Sequence, residues 1–204
     1  MAFEFLPGAT VVGLSYNDGV LLAAEKRISF GNFVVNKNIK KTFPVTDHVG
    51  AACAGMVADM QVLVRQVEAL AKIRKLETRR IVPPNSIAKL MSVIMFERRY
   101  FPLLTQVIVG GINEKPEIYT LDPLGSVLPD DYAAVGTGAE GALGIMDAEF
   151  KQNMSEEAVR ELATRAIRSA IQRDTASGDG IDLLYVTRTG HREETIRPPW
   201  LSTS

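Results

Sequence analysis

The sequence predicts an α+β fold in four layers, α-β-β-α, with two stacked antiparallel sheets between outer pairs of helices. The first observation is the alternation of hydrophobic periods along the chain, in the order strands, two helices, strands, two helices, strand. The second is that no repeat or long linker interrupts this order. A chain of 204 residues is therefore expected to form one domain.

The first quarter of the chain is rich in short apolar runs separated by turn residues. The runs at 10–16 and 20–26 flank Asn17-Asp18-Gly19, a combination typical of a hairpin. Three more runs qualify as strands: FVVNK (33–37), KTFPV (41–45) and HVGAACAG (48–55). The pattern predicts a β-meander over this part of the chain.

Helical spacing begins after residue 56 and returns near the C-terminus. The first helix carries an apolar stripe from Met60 to Ala71, and a second follows Pro83-Pro84-Asn85-Ser86 and ends near Pro102. A third helix is predicted from Ala139 to Lys151. The last one starts after Ser155, a good N-cap. The stripe of this last helix comprises Ala158, Val159, Leu162, Ala163, Ala166, Ile167, Ala170 and Ile171.

The remaining strands lie between and after these helices. Apolar runs at 105–112 and 117–122 are split by a turn that ends at Pro116, and a shorter run covers 132–136. The segment SGDGIDLLYVTR, after the last helix, turns into a final strand.

The composition narrows the possible partners and compartments. The chain is 46% hydrophobic and 23% charged, with a net charge of −1, so no bulk field attracts it to nucleic acid or anionic lipid. No apolar run approaches the roughly 18 residues that cross a bilayer. The single cysteine favours a reducing, cytoplasmic compartment. With two histidines, no metal or other cofactor is expected.

Four stretches taken together resemble one family. They are GATVVGLSYNDGVLLAAEKR, GNFVVNKNIKK, AACAGMVAD and RDTASGDGID. In combination they resemble the β-subunits of proteasomes, the archaeal ones most closely, over residues 8 to about 187. The resemblance implies the N-terminal-nucleophile hydrolase fold, and a threonine protease that hydrolyses peptide bonds in ATP-dependent protein degradation.

The resemblance also implies a mechanism. In that family, cleavage between Gly and Thr makes threonine the first residue; its hydroxyl attacks the peptide carbonyl and its α-amine moves the proton. An N-terminal amine titrates near neutrality, and an adjacent lysine ammonium lowers the hydroxyl pKa. The implied residues are the carboxylates Glu25 and Asp174, the lysine Lys41 whose ammonium lowers the hydroxyl pKa, the hydroxyls of Ser177 and Thr137, and Gly55, whose N–H is the oxyanion donor. The implied substrate pocket consists of Ile28, Ile39, Phe43, Cys53 and Val57.

The position of the nucleophile departs from the family pattern. Counted back from Gly13, the threonine position is occupied by Ala9, and Gly8 matches the residue before the cut. Thr10 comes one residue later, so its side chain is expected on the opposite face of the strand. A β-bulge near the N-terminus would reverse this. Glu25 also stands where the family usually has aspartate, and its reach to Lys41 is left open.

Three interpretations follow. In the first, the chain lacks its own nucleophile and builds a mixed ring with a catalytic β paralogue. In the second, cleavage after Ala9 makes Thr10 the nucleophile of an active threonine endopeptidase. In the third, the alanine was introduced to retain the precursor. Residues 1–8 or 1–9 would then form a short pro-segment, and 9–204 the single subunit domain.

The resemblance further implies partners. These are proteasome α-subunits and other β-subunits, in seven-membered rings stacked as a four-ring particle, and unfolded protein substrates. The exposed side of the first helix, with Arg65, Arg74 and Lys75, is a candidate ring contact. Other N-terminal-nucleophile amidases, proteasome α-subunits and a related bacterial subunit fit the motifs less well.

Overall fold

The structure, a computed structural model, describes residues 8–198. The first half of that range contains β1 (Thr10–Tyr16), β2 (Gly19–Glu25), β3 (Ile28–Phe30), β4 (Phe33–Asn36), β5 (Thr42–Thr46), β6 (Val49–Gly55), α1 (Val57–Thr78) and α2 (Pro84–Glu97). The second half contains β7 (Thr105–Ile112), β8 (Pro116–Leu121), β9 (Val127–Asp130), β10 (Tyr132–Gly136), α3 (Ala139–Glu149), α4 (Glu156–Arg173), β11 (Ile181–Thr187) and β12 (Gly190–Ile196).

Two antiparallel five-stranded sheets form the centre of the described fold. The first sheet has the order β10-β1-β2-β11-β12 and the second has the order β5-β6-β7-β8-β9. The predicted β-meander is wrong, because β1 and β2 join the first sheet whereas β5 and β6 join the second. Between them β3 and β4 form a separate hairpin. Local periodicity identifies strands but carries no information on which sheet receives them.

Three apolar layers hold the sheets and helices together. Val11, Leu22 and Ile108 belong to the layer between the two sheets. A second layer joins the first sheet to α3 and α4, and a third joins the second sheet to α1 and α2. The predicted four-layer α-β-β-α arrangement is therefore confirmed. The mid-plane layer positions β1 and β2, whose ends carry the candidate site.

Most predicted elements are found within a few residues. Ser155 caps α4 by accepting a hydrogen bond from the Ala158 N–H at 3.3 Å. The second helix ends at Glu97 rather than near Pro102. After Glu97, the N–H groups of Arg98, Arg99 and Phe101 each donate to a carbonyl three residues earlier, as in turns, instead of four residues earlier. Strands β3, β9 and β12 escaped prediction; β12 reads GHREETI, and its charged residues hide any apolar alternation.

No helix within residues 8–198 is both long and apolar enough to cross a membrane.

Candidate active site

The beginning of β1 meets three other segments at one end of the first sheet. Thr10 pairs with Gly136 at the end of β10, and Glu25 pairs with Ile181 at the start of β11. The loop from Asp174 to Gly180 connects α4 to β11 and closes over this end. Gly8 packs tightly there, since a Cβ on it would lie 2.2 Å from Ala176 Cβ.

The Glu25 carboxylate is the centre of the first group of contacts. Its Oε1 binds Lys41 Nζ and accepts from the Thr10 N–H at 3.2 Å. Its Oε2 accepts from the N–H groups of Arg27 at 2.7 Å and Gly178 at 3.1 Å. Burial raises the pKa of Glu25, whereas Lys41 and the two N–H groups on Oε2 lower it. The longer carboxylate therefore does reach Lys41.

The Lys41 ammonium is held from two sides and is closed off from solvent. Besides Glu25, it donates to the carbonyl of Arg27 at 2.6 Å, and its side chain is 2% exposed. Burial lowers the pKa of Lys41 and the contact with Glu25 raises it. A buried ammonium in this state is suited to lowering the pKa of a nearby hydroxyl.

Asp174 organises a second group of contacts made of hydroxyls. Its Oδ2 accepts from Ser177 at 2.7 Å and from Thr137 at 2.6 Å, and its Oδ1 accepts from the Ala176 N–H at 3.0 Å. The Thr10 hydroxyl lies 2.8 Å from that of Ser177. Because Ser177 gives its one proton to the carboxylate, the Thr10 hydroxyl must be the donor in this pair.

Ala9, the residue directly before β1, lines a cavity of about 250 Å³. Gly55 and Thr137 line it too, and the other lining residues are Ala54, Leu104, Thr105, Gln106, Pro123 and Gly136. Gly55 has φ +133°, and a Cβ there would lie 2.2 Å from the Leu104 carbonyl oxygen, so the position requires glycine. The side chain of Ala9 is a methyl group, which cannot attack a carbonyl.

Thr10 does not line this cavity, and it is fully buried. A Cβ on Gly138 would lie 2.1 Å from the Thr10 hydroxyl oxygen, so the hydroxyl is enclosed by the turn before α3. From Thr10 onward, the pairing of β1 with β10 and β2 runs without a register shift. The bulge that would turn Thr10 to the other face is therefore absent from the described part of β1.

The five predicted pocket residues are spread over four elements, β3, β5, β6 and α1, and the connection from β4 to β5. Cys53 belongs to the apolar layer under α1 and α2, and Phe43 and Val57 pack against that layer. Ile28 and Ile39 are half-buried beside the β3–β4 hairpin. Cys53 is fully buried, and burial raises its pKa to about 12. The cavity beside Ala9 is lined by other residues.

Arg27 and Asp179 take part in the site although they were not singled out in the sequence. The Arg27 guanidinium donates to Asp179 at 2.7 Å and to the Thr175 carbonyl at 3.1 Å. It also packs on Gly178, where a Cβ would lie 2.4 Å from its guanidinium carbon. The Arg27 carbonyl accepts from Lys41, and the Arg27 side chain binds the loop that contains Ser177. Arg27 thus connects these two parts of the site. Both residues fall in the quoted motifs, but spacing along the chain does not reveal that they pair.

Among residues 8–198, no group of three or more His, Cys, Asp or Glu side chains is placed to hold a metal ion.

The fold and the site together define the class of N-terminal-nucleophile hydrolases. A family model described as "Proteasome subunit" matches residues 6–186. The chain is 63% identical over 191 residues to "Proteasome subunit beta 1" of Nitrosopumilus maritimus (strain SCM1), covering 94% of this chain and 96% of the relative. Identity is also 63% over 188 residues with the same-named protein of Cenarchaeum symbiosum (strain A), covering 92% and 97%.

A more distant relative is "Proteasome subunit beta 2" of Pyrobaculum arsenaticum, 44% identical over 198 residues and covering 97% of this chain and 98% of the relative. The chain belongs to the proteasome subunit family, as a β-subunit of the archaeal type. As such it is part of a core particle that carries out proteolysis, and it assembles with other proteasome subunits.

Proposed function

We propose that this chain is a non-catalytic β-subunit, which completes a mixed ring and supports a catalytic β paralogue. One observation carries the proposal: the residue that lines the cavity beside Gly55 at the entry to β1 is Ala9. The nearest hydroxyl along the strand, that of Thr10, is buried on the other side and donates to Ser177. Successive residues of a strand face opposite sides, so both cannot serve the same cavity.

The other site residues that the resemblance implies would then maintain the structure of the site and take no part in a reaction. Glu25 and Lys41 form a buried ion pair, and Asp174 binds the hydroxyls of Ser177 and Thr137. Breaking such buried pairs is costly, which gives a non-catalytic subunit a reason to retain them. Gly55 would keep its role as a close-packing residue.

A specific observation favours the alternative, an active endopeptidase with Thr10 as nucleophile. The Thr10 nitrogen lies 3.2 Å from Glu25 Oε1, the oxygen that also binds Lys41. Cleavage after Ala9 would place a new α-amine beside this carboxylate. For activity, the Thr10 hydroxyl would also have to leave Ser177 and face the opposite side of β1.

The proposal places the subunit in a seven-membered ring of a four-ring particle in the cytoplasm, together with α-subunits. Unfolded protein chains would be cleaved inside the particle by the paralogue. The partly buried pocket residues Ile28, Ile39, Phe43 and Val57 would then shape the chamber wall without binding a scissile bond, and the buried Cys53 would pack behind them. Most of the proposed pro-segment, residues 1–7, lies outside the described residues.

The test is the mass of this chain in a particle assembled with α-subunits and the catalytic paralogue. An epoxyketone inhibitor requires both a hydroxyl and a free amine on one N-terminal residue. We expect the adduct on the paralogue only, and no chain that begins at Thr10. A matched variant, Thr10→Val, should leave the activity of the particle unchanged. An adduct on Thr10 would establish the alternative instead.

A further inference from the structure

A basic groove lies between the end of α1 and the start of α2. We define it by its lining residues, Arg74, Thr78, Arg80, Ile81, Val82, Pro83 and Ser86, which enclose about 400 Å³. Helix α1 has 22 residues and is therefore about 33 Å long. Since α1 begins two residues after Gly55, the groove lies at the far end of the helix from the candidate site.

The two arginines of the basic groove have no acidic partner among residues 8–198. The ion pairs of this range involve other cations; Lys75, next to Arg74, pairs with Asp47 at 2.7 Å. Between residues 72 and 80 the single acidic residue is Glu77, which does not line the groove. The guanidinium groups of Arg74 and Arg80 are therefore available to an external anion.

The backbone around the groove is held in place. The Thr78 hydroxyl donates to the Arg74 carbonyl at 2.7 Å, and the Arg79 N–H donates to the Lys75 carbonyl at 2.9 Å. On the other side, Pro83 is the N-cap of α2, and its carbonyl accepts from the Ser86 N–H at 3.1 Å. A ligand would meet a preformed floor, which lowers the entropic cost of binding.

The groove also has an apolar wall. Ile81 and Val82 line it, and Ile81 is 60% exposed. Inorganic phosphate would use the arginines but gain nothing from these side chains. A peptide that alternates carboxylates with apolar side chains would use both features. Arginine binds carboxylates through two parallel hydrogen bonds, which adds geometric specificity.

We propose that the basic groove binds an acidic peptide segment of a partner protein, with its carboxylates on Arg74 and Arg80 and an apolar side chain on Ile81. The site is separate from the cavity beside Ala9 and does not depend on whether this chain is catalytic. Its occupant would attach at the end of the subunit remote from Gly55.

The probe for this site is a short fluorescein-labelled peptide of alternating Glu and Leu residues, titrated with the full chain at low salt. The double variant Arg74→Gln and Arg80→Gln should raise Kd about tenfold or more, since two charge-assisted contacts are lost. The control is Arg65→Gln with Arg98→Gln, which removes equal charge from exposed positions outside the groove and should leave Kd unchanged. Ile81→Ser should weaken binding of this peptide but not of a Glu-Ser peptide.

Several results would overturn the proposal. These are no binding by the parent chain, equal binding of a peptide with Gln in place of Glu, or an equal loss in the double variant and its control. Inorganic polyphosphate is the competing probe. If polyphosphate binds in a manner that requires Arg74 and Arg80 while the Glu-Leu peptide does not, the groove is a phosphate site.

Discussion

The Thr10 hydroxyl donates to the Ser177 hydroxyl across 2.8 Å, and Ser177 in turn donates to Asp174 across 2.7 Å. This series of hydrogen bonds holds Thr10, at the start of β1, in a structural contact. The hydroxyl of Thr10 is a buried donor with a defined acceptor. The same contact removes it from the face of β1 on which Ala9 lies.

The direction of this chain predicts unequal effects of two substitutions. Ser177→Ala leaves the Thr10 hydroxyl as a buried donor without an acceptor, which costs about 1–3 kcal/mol. Thr10→Val removes a donor and keeps the shape of the side chain, so it should cost less. Urea unfolding of both single variants and the double variant measures this. If Thr10→Val were the more destabilising, the assigned direction of the proton would be wrong.

Ala9→Thr should restore a hydroxyl to the cavity beside Gly55. If the rest of the site is competent, the assembled variant should cut itself after Gly8 and cleave fluorogenic peptides. We expect a rate at least about 10²-fold above the parent chain, since even a 1 Å misplacement has an effect of this size. Ala9→Val has the same shape without oxygen and should stay uncut and inactive. An inactive, uncut Ala9→Thr chain would show that more than the hydroxyl is missing.

The Glu25–Lys41 pair should respond to single substitutions more strongly than to a double one. Lys41→Met leaves a carboxylate buried without its charge partner, and Glu25→Gln does the same to the ammonium. Each should lower the free energy of unfolding by about 3–5 kcal/mol. The double variant should be clearly less destabilised than the sum of the singles. Additive losses would mean that the two charges do not interact in the folded chain.

Glu194 should make stability depend on acid pH. Its hydrogen bond to Arg160, with help from Tyr185 and Arg192, holds the pKa below the usual 4.5. A lowered pKa contributes stability above 4.5, and this contribution is lost as pH falls through the folded pKa. Glu194→Gln should cost about 0.5–1 kcal/mol at neutral pH, given partial exposure and screening, and nothing once the carboxyl is protonated.

The control for that pH series is Glu161→Gln, an exposed position on α4 outside this contact. Its effect should be small and should not change between neutral and acid pH. A difference for Glu194→Gln that persists at low pH would show that packing, not charge, accounts for the loss.

Cys53 reports whether the predicted substrate pocket is open. Because burial raises its pKa to about 12 and the side chain is fully buried, the reactive thiolate is scarce in the folded chain. Labelling with iodoacetamide near pH 8 should therefore follow global unfolding, and should become fast in urea. Rapid labelling of the folded chain would mean that solvent reaches the pocket through an opening that the structure does not show.

Much of this protein follows from its sequence alone. The order of strands and helices, the four layers and the family are encoded in local periodicity and in short motifs. Counting residues from Gly13 against the family pattern also predicts that Ala9 occupies the nucleophile position. These features depend on the spacing of residues along the chain, and the sequence contains all of that spacing.

Only the tertiary structure decided which groups meet across long stretches of chain. It assigned β1 and β5 to different sheets, and it showed that Glu25 reaches Lys41. It also directed the Thr10 hydroxyl to Ser177, 167 residues later, and left Arg74 and Arg80 beside one groove without an acidic partner in the described range. Periodicity is a property of neighbouring residues, whereas these contacts depend on how the sheets and helices pack against each other.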